Sequence, residues 1–595
     1  MKKFTNIDDN QNTKSAKVMV KRAYFKLLPV QIIGIIVIAI NSFIDSIITG
    51  KFLGTASLAA IGFFGPVATV IGISWVLIIG IQILCSQFVG SGKQDKAISS
   101  FSTGAMVLAI FSIIISIVCF FFRFQLSKLL GAKDETITLL ASYIAGYAPG
   151  IVAQVLSGLL TTFLPFNNDT KRSYLGISIM IISNIGSDLL NVFILHWGTF
   201  GMGLATSVSY ILSALVLLIS YLKKENTIRL SFKNLNFKIL PKALWLGLPS
   251  LMFTLGCTAK GYILNLTLMK QVGDVAVAVM NVQNNIVSIL GAIPQGCAGA
   301  LMVLAAMYYG DEDRFSIVEV TKLTAKVGGI LSAAMTILLM VFASFIPSLF
   351  FTRTEEAWNI ARRMLLLFPS FLVFNLFFGI FTKIYQCQNK VMFVNILTFA
   401  ETVGCAILSA ILTHFIGTDG VWISFPIWEL ICIVIIGISA WIYSKHFPHS
   451  FEDWMKLKSN FGAKDDECME FSICSMEEVV NVSEKIIEFC KSRNLNHKRR
   501  LIAGLSIEEL AGNVVTHGFS KSSRKHSIDV RIVIKDDLLT IRIRDDCPAF
   551  DPKKYIAQFH SEDITKNIGI KMITSMANEI IYQNIAGINT LFLKV

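Results

Sequence analysis

The sequence predicts an all-α polytopic membrane protein of about 12 transmembrane helices in two six-helix repeats, followed by a C-terminal α/β-sandwich domain. Hydrophobic residues make up 54% of the 595 residues and charged residues only 16%, whereas soluble domains carry about 25% charged residues. Apolar windows of about 20 residues, each long enough to cross a bilayer, recur as far as position 444. Beyond that position the chain becomes polar.

The apolar windows define the predicted spans. Because backbone groups in lipid must form their hydrogen bonds internally, each span is expected to be a helix. The basic stretch 223–242 divides the spans into two sets of six. They lie at residues 28–49, 57–84, 98–122, 136–163, 172–195 and 201–222, then at 243–268, 276–305, 318–347, 358–382, 391–415 and 420–444.

Basic residues are concentrated before the first span, in residues 2–26, and between the two sets, in residues 223–242. Cytoplasmic loops of membrane proteins carry such an excess of Lys and Arg. We therefore expect a multi-pass protein of the inner (cytoplasmic) membrane with both termini in the cytoplasm. The placement of the net charge of +13 also indicates membrane lipid as a partner and argues against nucleic acid.

A weak internal repeat supports the division into halves. The segment Lys51–Ala60 is echoed at Lys270–Val279, and Gly90 and Gly310 follow at similar distances. Transporters with a parallel repeat bind substrate between their halves. The predicted units are a cytoplasmic N-terminal segment (1–27), a first repeat (28–222), a cytoplasmic connecting loop (223–242), a second repeat (243–444), a linker (445–467) and a C-terminal domain (468–595).

Acidic residues inside the predicted spans are the candidate functional groups. Asp45 lies deep in the first span and Asp188 deep in the fifth, where a carboxylate costs roughly 2.5–3.5 kcal/mol and is usually functional. Asn184 shares a helical face with Asp188. With the Thr206 hydroxyl, these oxygens can bind a cation or a proton; the alternative is a structural hydrogen bond between helices. Glu401 is a candidate for a second-half cavity, with a structural ion pair as the alternative.

Three stretches of the first half resemble the multidrug and toxic compound extrusion (MATE) family. They are NSFIDSIITGKFLG (41–54), QFVG (87–90), and NIGSDLLNVF with the later GMGLAT (184–193 and 201–206). The resemblance covers residues from about 20 to 444. It implies that Asp45, Asn184, Asp188 and Thr206 couple inward movement of Na⁺ or H⁺ to release of a drug.

The C-terminal domain alternates helix and strand patterns. Helices are expected at 476–493, 498–517 and 566–580, and a β-hairpin at 528–535 and 538–544. Glu509 and Asn513 lie four residues apart and so share a helical face. An amide oxygen there can hold Mg²⁺ that bridges phosphates, and a carboxylate can orient a water or a hydroxyl.

The C-terminal domain also resembles the histidine-kinase-type (GHKL) ATPases, and most of all the anti-sigma-factor serine kinases among them. The stretches concerned are SIEELAGNVVTHG (506–518), DDCPAFDP (545–552) and NIGIK (567–571). The resemblance implies ATP with Mg²⁺ held by Glu509, Asn513, Asp545 and Gly569. Asp545 would accept from the adenine amino group, Asn513 would hold Mg²⁺ through ATP, and Glu509 would be the base of a kinase. Cys547 stands where this pattern usually has glycine.

Together these features predict multidrug efflux by secondary antiport, with Na⁺ or H⁺ moving in and a small amphipathic, cationic compound moving out. The C-terminal domain would tune transport by binding ATP or a regulatory protein. Two alternatives stay open: a membrane-tethered serine kinase or anti-sigma-like signalling protein that uses the transporter fold as a sensor, and a flippase for a lipid precursor. The sequence leaves open whether the chain is an enzyme, the cargo, the coupling ion and the oligomeric state.

Overall fold

The computed structural model describes the chain except residues 1–12, 224–225, 234, 272, 465, 522–523, 536, 553 and 556–567. Within the described residues, 11 helices are long and apolar enough to cross a membrane, or up to 12 if the bent pair Glu356–Leu367 and Phe371–Cys387 forms one span. The 47° bend of that pair coincides with Pro369, which cannot donate a backbone hydrogen bond. The predicted polytopic α-helical fold is confirmed, and the chain is a multi-pass membrane protein.

The first half of the bundle contains helices that join end to end into longer spans. They are α1 (Lys14–Ile48), α2 (Thr55–Gly62), α3 (Gly65–Gly72), α4 (Ser74–Gly90), α5 (Gln94–Phe121), α6 (Arg123–Leu129), α7 (Glu135–Tyr147), α8 (Ile151–Phe163), α9 (Thr170–Leu190) and α10 (Gly198–Tyr221). Short π-helical turns follow α1 and α9, at Thr49–Leu53 and Asn191–Leu195.

The second half repeats the pattern and ends in a short helix in the linker. Its helices are α11 (Leu240–Gln271), α12 (Asp274–Leu290), α13 (Ala292–Gly310), α14 (Arg314–Val341), α15 (Glu356–Leu367), α16 (Phe371–Cys387), α17 (Val391–Ile416), α18 (Asp419–Ser444) and α19 (Phe451–Met455). By position in the repeat, α11 corresponds to α1 and α17 corresponds to α9.

The C-terminal domain is a five-stranded antiparallel sheet of order β1-β2-β3-β5-β4 with helices against one face. Its elements are β1 (Cys468–Ile473), α20 (Met476–Ser492), α21 (His497–Ser506), β2 (Ile528–Lys535), β3 (Leu538–Asp545), α22 (Ile568–Met576), β4 (Glu579–Ile585) and β5 (Ile588–Lys594). The predicted hairpin and α/β sandwich are confirmed. The predicted helix 566–580 ends earlier, at Met576, because Glu579 already pairs in β4; residues 566–567 lie outside the described residues.

The strands of this sheet alternate between its two faces, as the period of two requires. In β3, Ile541 and Ile543 belong to the buried core under the helices, while Arg542 and Arg544 point to the opposite face. That opposite face rests on one end of the membrane bundle, which we call the domain end. The side chains of Arg542 and Arg544 are only 3% and 5% exposed.

Helix α1 begins at Lys14, well before the apolar window that starts at residue 28. Met19, Ala23 and Leu27 recur at helical spacing and are buried in the main core of the bundle. The same core includes Ala586, in the turn between β4 and β5. Docking of the domain therefore extends the helix beyond the predicted span, and the first 12 residues of the predicted segment 1–27 are outside the described residues.

Candidate functional site

Two acidic side chains meet inside the first half of the bundle. Asp45 comes from α1 and Asp188 from α9, and their carboxyl groups lie within hydrogen-bonding reach of each other. Asn184 Nδ2 donates to Asp188 Oδ2 at 3.3 Å, and Asn41 Nδ2 donates to Asp45 Oδ2 at 3.4 Å. Asn41 Nδ2 also donates to Asn184 Oδ1. We call Asn41, Asp45, Asn184 and Asp188 the first-half carboxyl site.

The first-half carboxyl site has acceptors left over. Asp45 Oδ1 and Asp188 Oδ1 are buried and have no hydrogen-bond partner among the described residues. Asn184 and Asp188 are fully buried. Because a buried polar atom without a partner is costly, a cation or a proton held by the two carboxyl groups would satisfy oxygens that the protein itself leaves unbonded.

Thr206 is the one predicted member of this site that the described contacts do not join to it. Its hydroxyl donates to the carbonyl of Met202 at 3.2 Å, within its own helix α10. Asn41, by contrast, connects Asp45 to Asn184. Its spacing of four residues from Asp45 was the signal for it, since such a pair shares a helical face.

A second polar group lies in the second half, and two of its helices, α11 and α17, correspond to α1 and α9 of the first-half carboxyl site. Glu401 from α17 lies within hydrogen-bonding reach of Glu429 from α18, and Asn375 Nδ2 donates to Glu429 Oε1 at 2.9 Å. Lys260 Nζ, from α11, lies 5.4 Å from the centroid of the Phe425 ring. Glu401 Oε2 and Glu429 Oε2 are buried without partners in the described part of the chain. Lys260, Asn375, Glu401 and Glu429 form the second-half cluster.

In the C-terminal domain, Glu509 lies against the start of α22. A Cβ atom at Gly569 would fall 1.9 Å from Cδ of Glu509, so any larger residue there would displace the Glu509 side chain from its position. The adjacent Glu508 points elsewhere, since its Oε1 accepts from the Ser483 hydroxyl at 2.8 Å. Glu509 and Asn513 lie in a stretch with π-helical turns at Ile507–Ala511 and Val514–Gly518, a distortion that is frequent at functional sites.

Asp545 ends β3 and is held by a small hydrogen-bond network. Its Oδ1 accepts from Asn589 Nδ2 at 2.8 Å and from the backbone N–H of Cys547 at 2.9 Å. Burial raises the pKa of Asp545, against the lowering effect of those two donors. Tyr582 donates its hydroxyl to Asn589 Oδ1 at 2.7 Å and accepts from the backbone N–H of Phe550 at 3.1 Å. Asn589 and Tyr582 were not predicted; both come from strands that approach β3 only in the folded sheet.

The fold and these sites define a class: a two-repeat membrane bundle with paired carboxyl groups in its core, joined to a small ATPase-like α/β domain. The MatE family profile matches residues 31–194 and 249–412, and the chain belongs to that family. The profile of the histidine kinase-like ATPase domain matches residues 475–594. Both resemblances seen in the sequence are confirmed, and a domain of this ATPase class implies a nucleotide-binding site.

Two bacterial relatives match most of the length of this chain. The chain is 22% identical over 451 residues to the probable multidrug resistance protein YoeA of Bacillus subtilis, covering 73% of this chain and 96% of that protein. It is 25% identical over 390 residues to the multidrug export protein MepA of Staphylococcus saprophyticus, covering 64% of this chain and 85% of that protein.

Solved structures share the fold of the bundle. A crystal structure of a MATE protein in complex with MaL6 is 23% identical, covers 70% of this chain and 94% of its own, and superposes with a TM-score of 0.66. An outward-facing multidrug resistance MATE transporter of the MOP superfamily is 22% identical with the same coverage and TM-score. Both likenesses concern the fold.

Proposed function

We propose that this protein exports small amphipathic cations by secondary antiport, driven by Na⁺ or H⁺ that moves inward through the first-half carboxyl site. The observation that carries the proposal is the meeting of Asp45 and Asp188 inside the bundle, each with one carboxyl oxygen that has no donor among the described residues. Acidic groups at that depth are costly and normally serve an ion or substrate path. The names of the relatives, multidrug resistance and multidrug export proteins, support an efflux role.

The chemistry of the pair suits exchange. Two adjacent carboxyl groups repel each other when both are ionised, so they favour uptake of a proton or a metal cation between them. A pair that has bound a proton or a metal cation no longer attracts a cationic cargo. After that ion leaves, the pair is negatively charged and attracts the cargo again. Asn41 and Asn184 hold the carboxyl groups at fixed positions through their amide donors. Sodium would be held by oxygen atoms, which hard cations prefer.

Glu401 belongs to a second polar site in this proposal. The second-half cluster offers two carboxyl groups, and Lys260, which interacts with both of them, lies over the ring of Phe425. Acidic groups and an aromatic face that already surround one cation suit an organic cation as well. Lys260 already supplies one positive charge there, so cargo that binds at Glu401 competes with the lysine side chain.

The C-terminal domain would regulate transport by binding ATP with Mg²⁺. The residues fit such a ligand: Gly569, which has no side chain, lies at a helix start, where backbone N–H groups can meet phosphate, and the Glu509 carboxyl group lies against it. Asp545 would accept a hydrogen bond from the adenine amino group, Asn513 would hold Mg²⁺ through ATP, and Glu509 would orient a water or a hydroxyl. Bound ATP would supply the phosphate groups, and Mg²⁺ would offset their negative charge.

In the cell, the chain would lie in the inner membrane with both termini in the cytoplasm. That orientation places the C-terminal domain where ATP is present and the basic connecting segment on the cytoplasmic side.

Efflux of a fluorescent cationic dye tests the proposal. Cells would express wild type, Asp188→Asn, Asn513→Ala and, as a matched control, Asp134→Asn, whose exposed carboxylate lies outside both sites. We expect Asp188→Asn to lower dye efflux at least about 10-fold and Asp134→Asn to leave it unchanged, since a coupling carboxylate has no substitute. A rate of dye efflux in Asn513→Ala that differs from the wild-type rate would indicate that nucleotide controls transport.

If Asp188→Asn exports dye as wild type does, antiport through this site is wrong. If no version moves dye, the signalling role or a lipid cargo takes its place. Loss of a phenotype on deleting 468–595 alone would favour signalling.

A further inference from the structure

The C-terminal domain is joined to the second half of the bundle through a buried charge network. Arg542 Nη1 donates to Asp313 Oδ2 at 2.7 Å and also pairs with Asp311, in the loop between α13 and α14. Arg531 donates to the backbone carbonyls of Asp311 and Glu312, each at 3.0 Å. We call Asp529, Arg531, Arg542 and Arg544 the docking face of the sheet.

The charges within this network balance closely. Asp529 Oδ2 accepts from Arg544 Nε at 2.7 Å and from Arg542 Nη2 at 3.1 Å. Burial alone would raise the pKa of Asp313, but the guanidinium groups of the docking face hold it well below its ordinary value. The carboxylate therefore stays ionised at any physiological pH, and the domain stays attached to the second half.

The same domain also touches the first half, through fewer and more separate contacts. Arg22 of α1 forms an ion pair with Asp546 and donates to the carbonyl of Lys525 at 3.2 Å. The backbone N–H of Ser15 donates to the Ser472 hydroxyl at 2.9 Å. The backbone N–H of Ala586 donates to the Pro165 carbonyl at 3.0 Å, in the turn after α8.

At the domain end, the two halves approach each other backbone to backbone. A Cβ at Gly90 would lie 1.8 Å from the Met307 carbonyl oxygen, and one at Gly310 would lie 2.1 Å from that of Gln87. Toward the other end of α4, a Cβ at Gly247 would lie 1.7 Å from the Val76 carbonyl oxygen. The halves are closed at the domain end, and alternating access requires them to separate there in another state. A domain attached to both halves opposes that separation.

The contact with the first half lies beside the nucleotide residues. Asp546, which pairs with Arg22, directly follows Asp545, and Cys547 donates its N–H to Asp545. The side chains of His526 and Cys547 also lie next to Asp546, and a ring nitrogen, the sulfur and a carboxylate oxygen of these three residues are within 4.8 Å of one another. The Arg22 guanidinium places a positive charge beside them. Docking thus holds in place the end of β3, which carries Asp545. A ligand that binds a group already held in position loses less free energy in ordering that group.

We infer that the C-terminal domain is a nucleotide-linked clamp: nucleotide at Asp545 and docking through Arg22–Asp546 stabilise each other and together hold the domain end of the two halves closed. The partner of the domain is thus the transporter's own bundle, and the clamp rests on the proposed nucleotide binding. Coupling between two binding events is reciprocal. The factor by which docking raises nucleotide affinity therefore equals the factor by which nucleotide raises docking.

The test uses the full chain in lipid nanodiscs and ATP–Mg²⁺ as the probe. Affinity would be measured by titration calorimetry, and docking by hydrogen exchange of the Ala586 amide, with and without ATP. Arg22→Gln should weaken ATP binding about 5-fold or more, and ATP should slow exchange at Ala586 in wild type but not in that variant. Lys21→Gln is the matched control, since Lys21 is exposed on the same helix, and should behave as wild type.

Two further variants keep the result interpretable if Arg22→Gln folds poorly. Arg22→Lys retains the charge and should restore part of the ATP affinity. Ser472→Ala removes the Ser15 contact at the far edge of the sheet and should weaken ATP binding in the same direction but less. The clamp is refuted if ATP binds Arg22→Gln and Ser472→Ala as tightly as wild type. A wild type that binds no ATP instead refutes the nucleotide part of the proposed function, and the clamp with it.

Discussion

The first-half carboxyl site and the docking face both bury charged groups, yet they treat them in opposite ways. In the first-half carboxyl site, two acidic side chains share two amides and keep one oxygen each without a donor in the described structure. In the docking face, each buried guanidinium contacts at least one carboxylate or a pair of backbone carbonyls. The first arrangement can bind a cation or a proton from outside the chain. In the second, positive and negative charges of the chain lie against one another, even though Asp529 Oδ1, Arg531 Nε and Arg542 Nε also lack a hydrogen-bond partner among the described residues.

The comparison indicates how a buried charge that binds a ligand can be distinguished from one that stabilises the structure. Asp188 and Asp529 are both fully buried carboxylates, so burial alone does not separate the two regions. What differs is whether opposite charges surround the group. A buried ion pair contributes little net stability, but removal of one partner leaves the other charge uncompensated and costs several kcal/mol. A carboxylate that binds a proton or a cation from outside should lose function, and little stability, when it is neutralised.

The largest expected effect is at Arg542. Arg542→Met should destabilise the docked state by about 3–5 kcal/mol, because Arg542 pairs with the buried carboxylates of Asp313 and Asp529 as well as with Asp311. Arg544 still pairs with Asp313 and Asp529, but one guanidinium then faces two carboxylates that two had neutralised. Asp188→Asn should change stability by less than about 1 kcal/mol. Exchange of the Ala586 amide would report docking in both variants. Arg499→Met is the matched control: Arg499 donates to the exposed Asp537 carbonyl, and exposed pairs contribute about 0–1 kcal/mol. Equal effects at Arg542 and Arg499 would contradict the comparison.

A smaller effect is expected at the close approach of the two halves. Gly90→Ala forces a Cβ onto the Met307 carbonyl, and such overpacking typically costs about 1–3 kcal/mol. It should open the domain end without touching any charge, and thereby show how much of its closure depends on backbone contact. Thermal unfolding of the full chain would measure the loss. Gly329→Ala, where a Cβ would meet nothing within 4 Å, should be neutral or slightly stabilising, and a similar loss there would rule the explanation out.

The smallest effect concerns pH. Burial raises the pKa of Glu470 to about 7, with repulsion by Asp313 adding to it and Arg531 opposing it. The native carboxyl group binds its proton more tightly than the unfolded one, so its contribution to stability is complete below about pH 4.5 and is lost as the pH rises to about 7. At about 1.4 kcal/mol for each pKa unit, the interval from pH 4.5 to pH 7 gives an upper bound of about 3.4 kcal/mol. Because the Glu470 side chain is 20% exposed, screening by solvent should reduce the loss to about 1–2 kcal/mol. The melting temperature of the domain at pH 5 and pH 7.5 measures it.

Glu470→Gln should remove this pH dependence, because the amide carries no proton to lose. Replacement of the exposed Glu488 by Gln is the control and should leave the pH dependence as in wild type. A melting temperature of the wild type that is constant between pH 5 and pH 7.5 would contradict the raised pKa of Glu470. A pH dependence that persists in Glu470→Gln would assign it to another group.

Several residues of the candidate sites could be predicted from the sequence because the patterns that mark them are local. Asp45 and Asp188 stand out as acidic residues within apolar windows, and Glu509 and Asn513 share a helical face by spacing alone. Asn589 could not be placed in the same way, since its contact with Asp545 depends on β5 pairing with β3. Thr206 was predicted as a further oxygen ligand of the site, and the family resemblance implies the same role, but its hydroxyl donates within its own helix.

The sequence by itself determined the two-repeat membrane bundle, the α/β domain and the residues that bear charge, since apolar length and residue spacing are properties of local segments. It did not reveal the docking face. The alternation of Arg542 and Arg544 with Ile541 and Ile543 predicts one buried face and one in water. Only the tertiary structure brought Asp311 and Asp313, more than 200 residues earlier in the chain, against those arginines, because long-range charge pairing depends on how the domain packs on the bundle and leaves no mark in the local pattern.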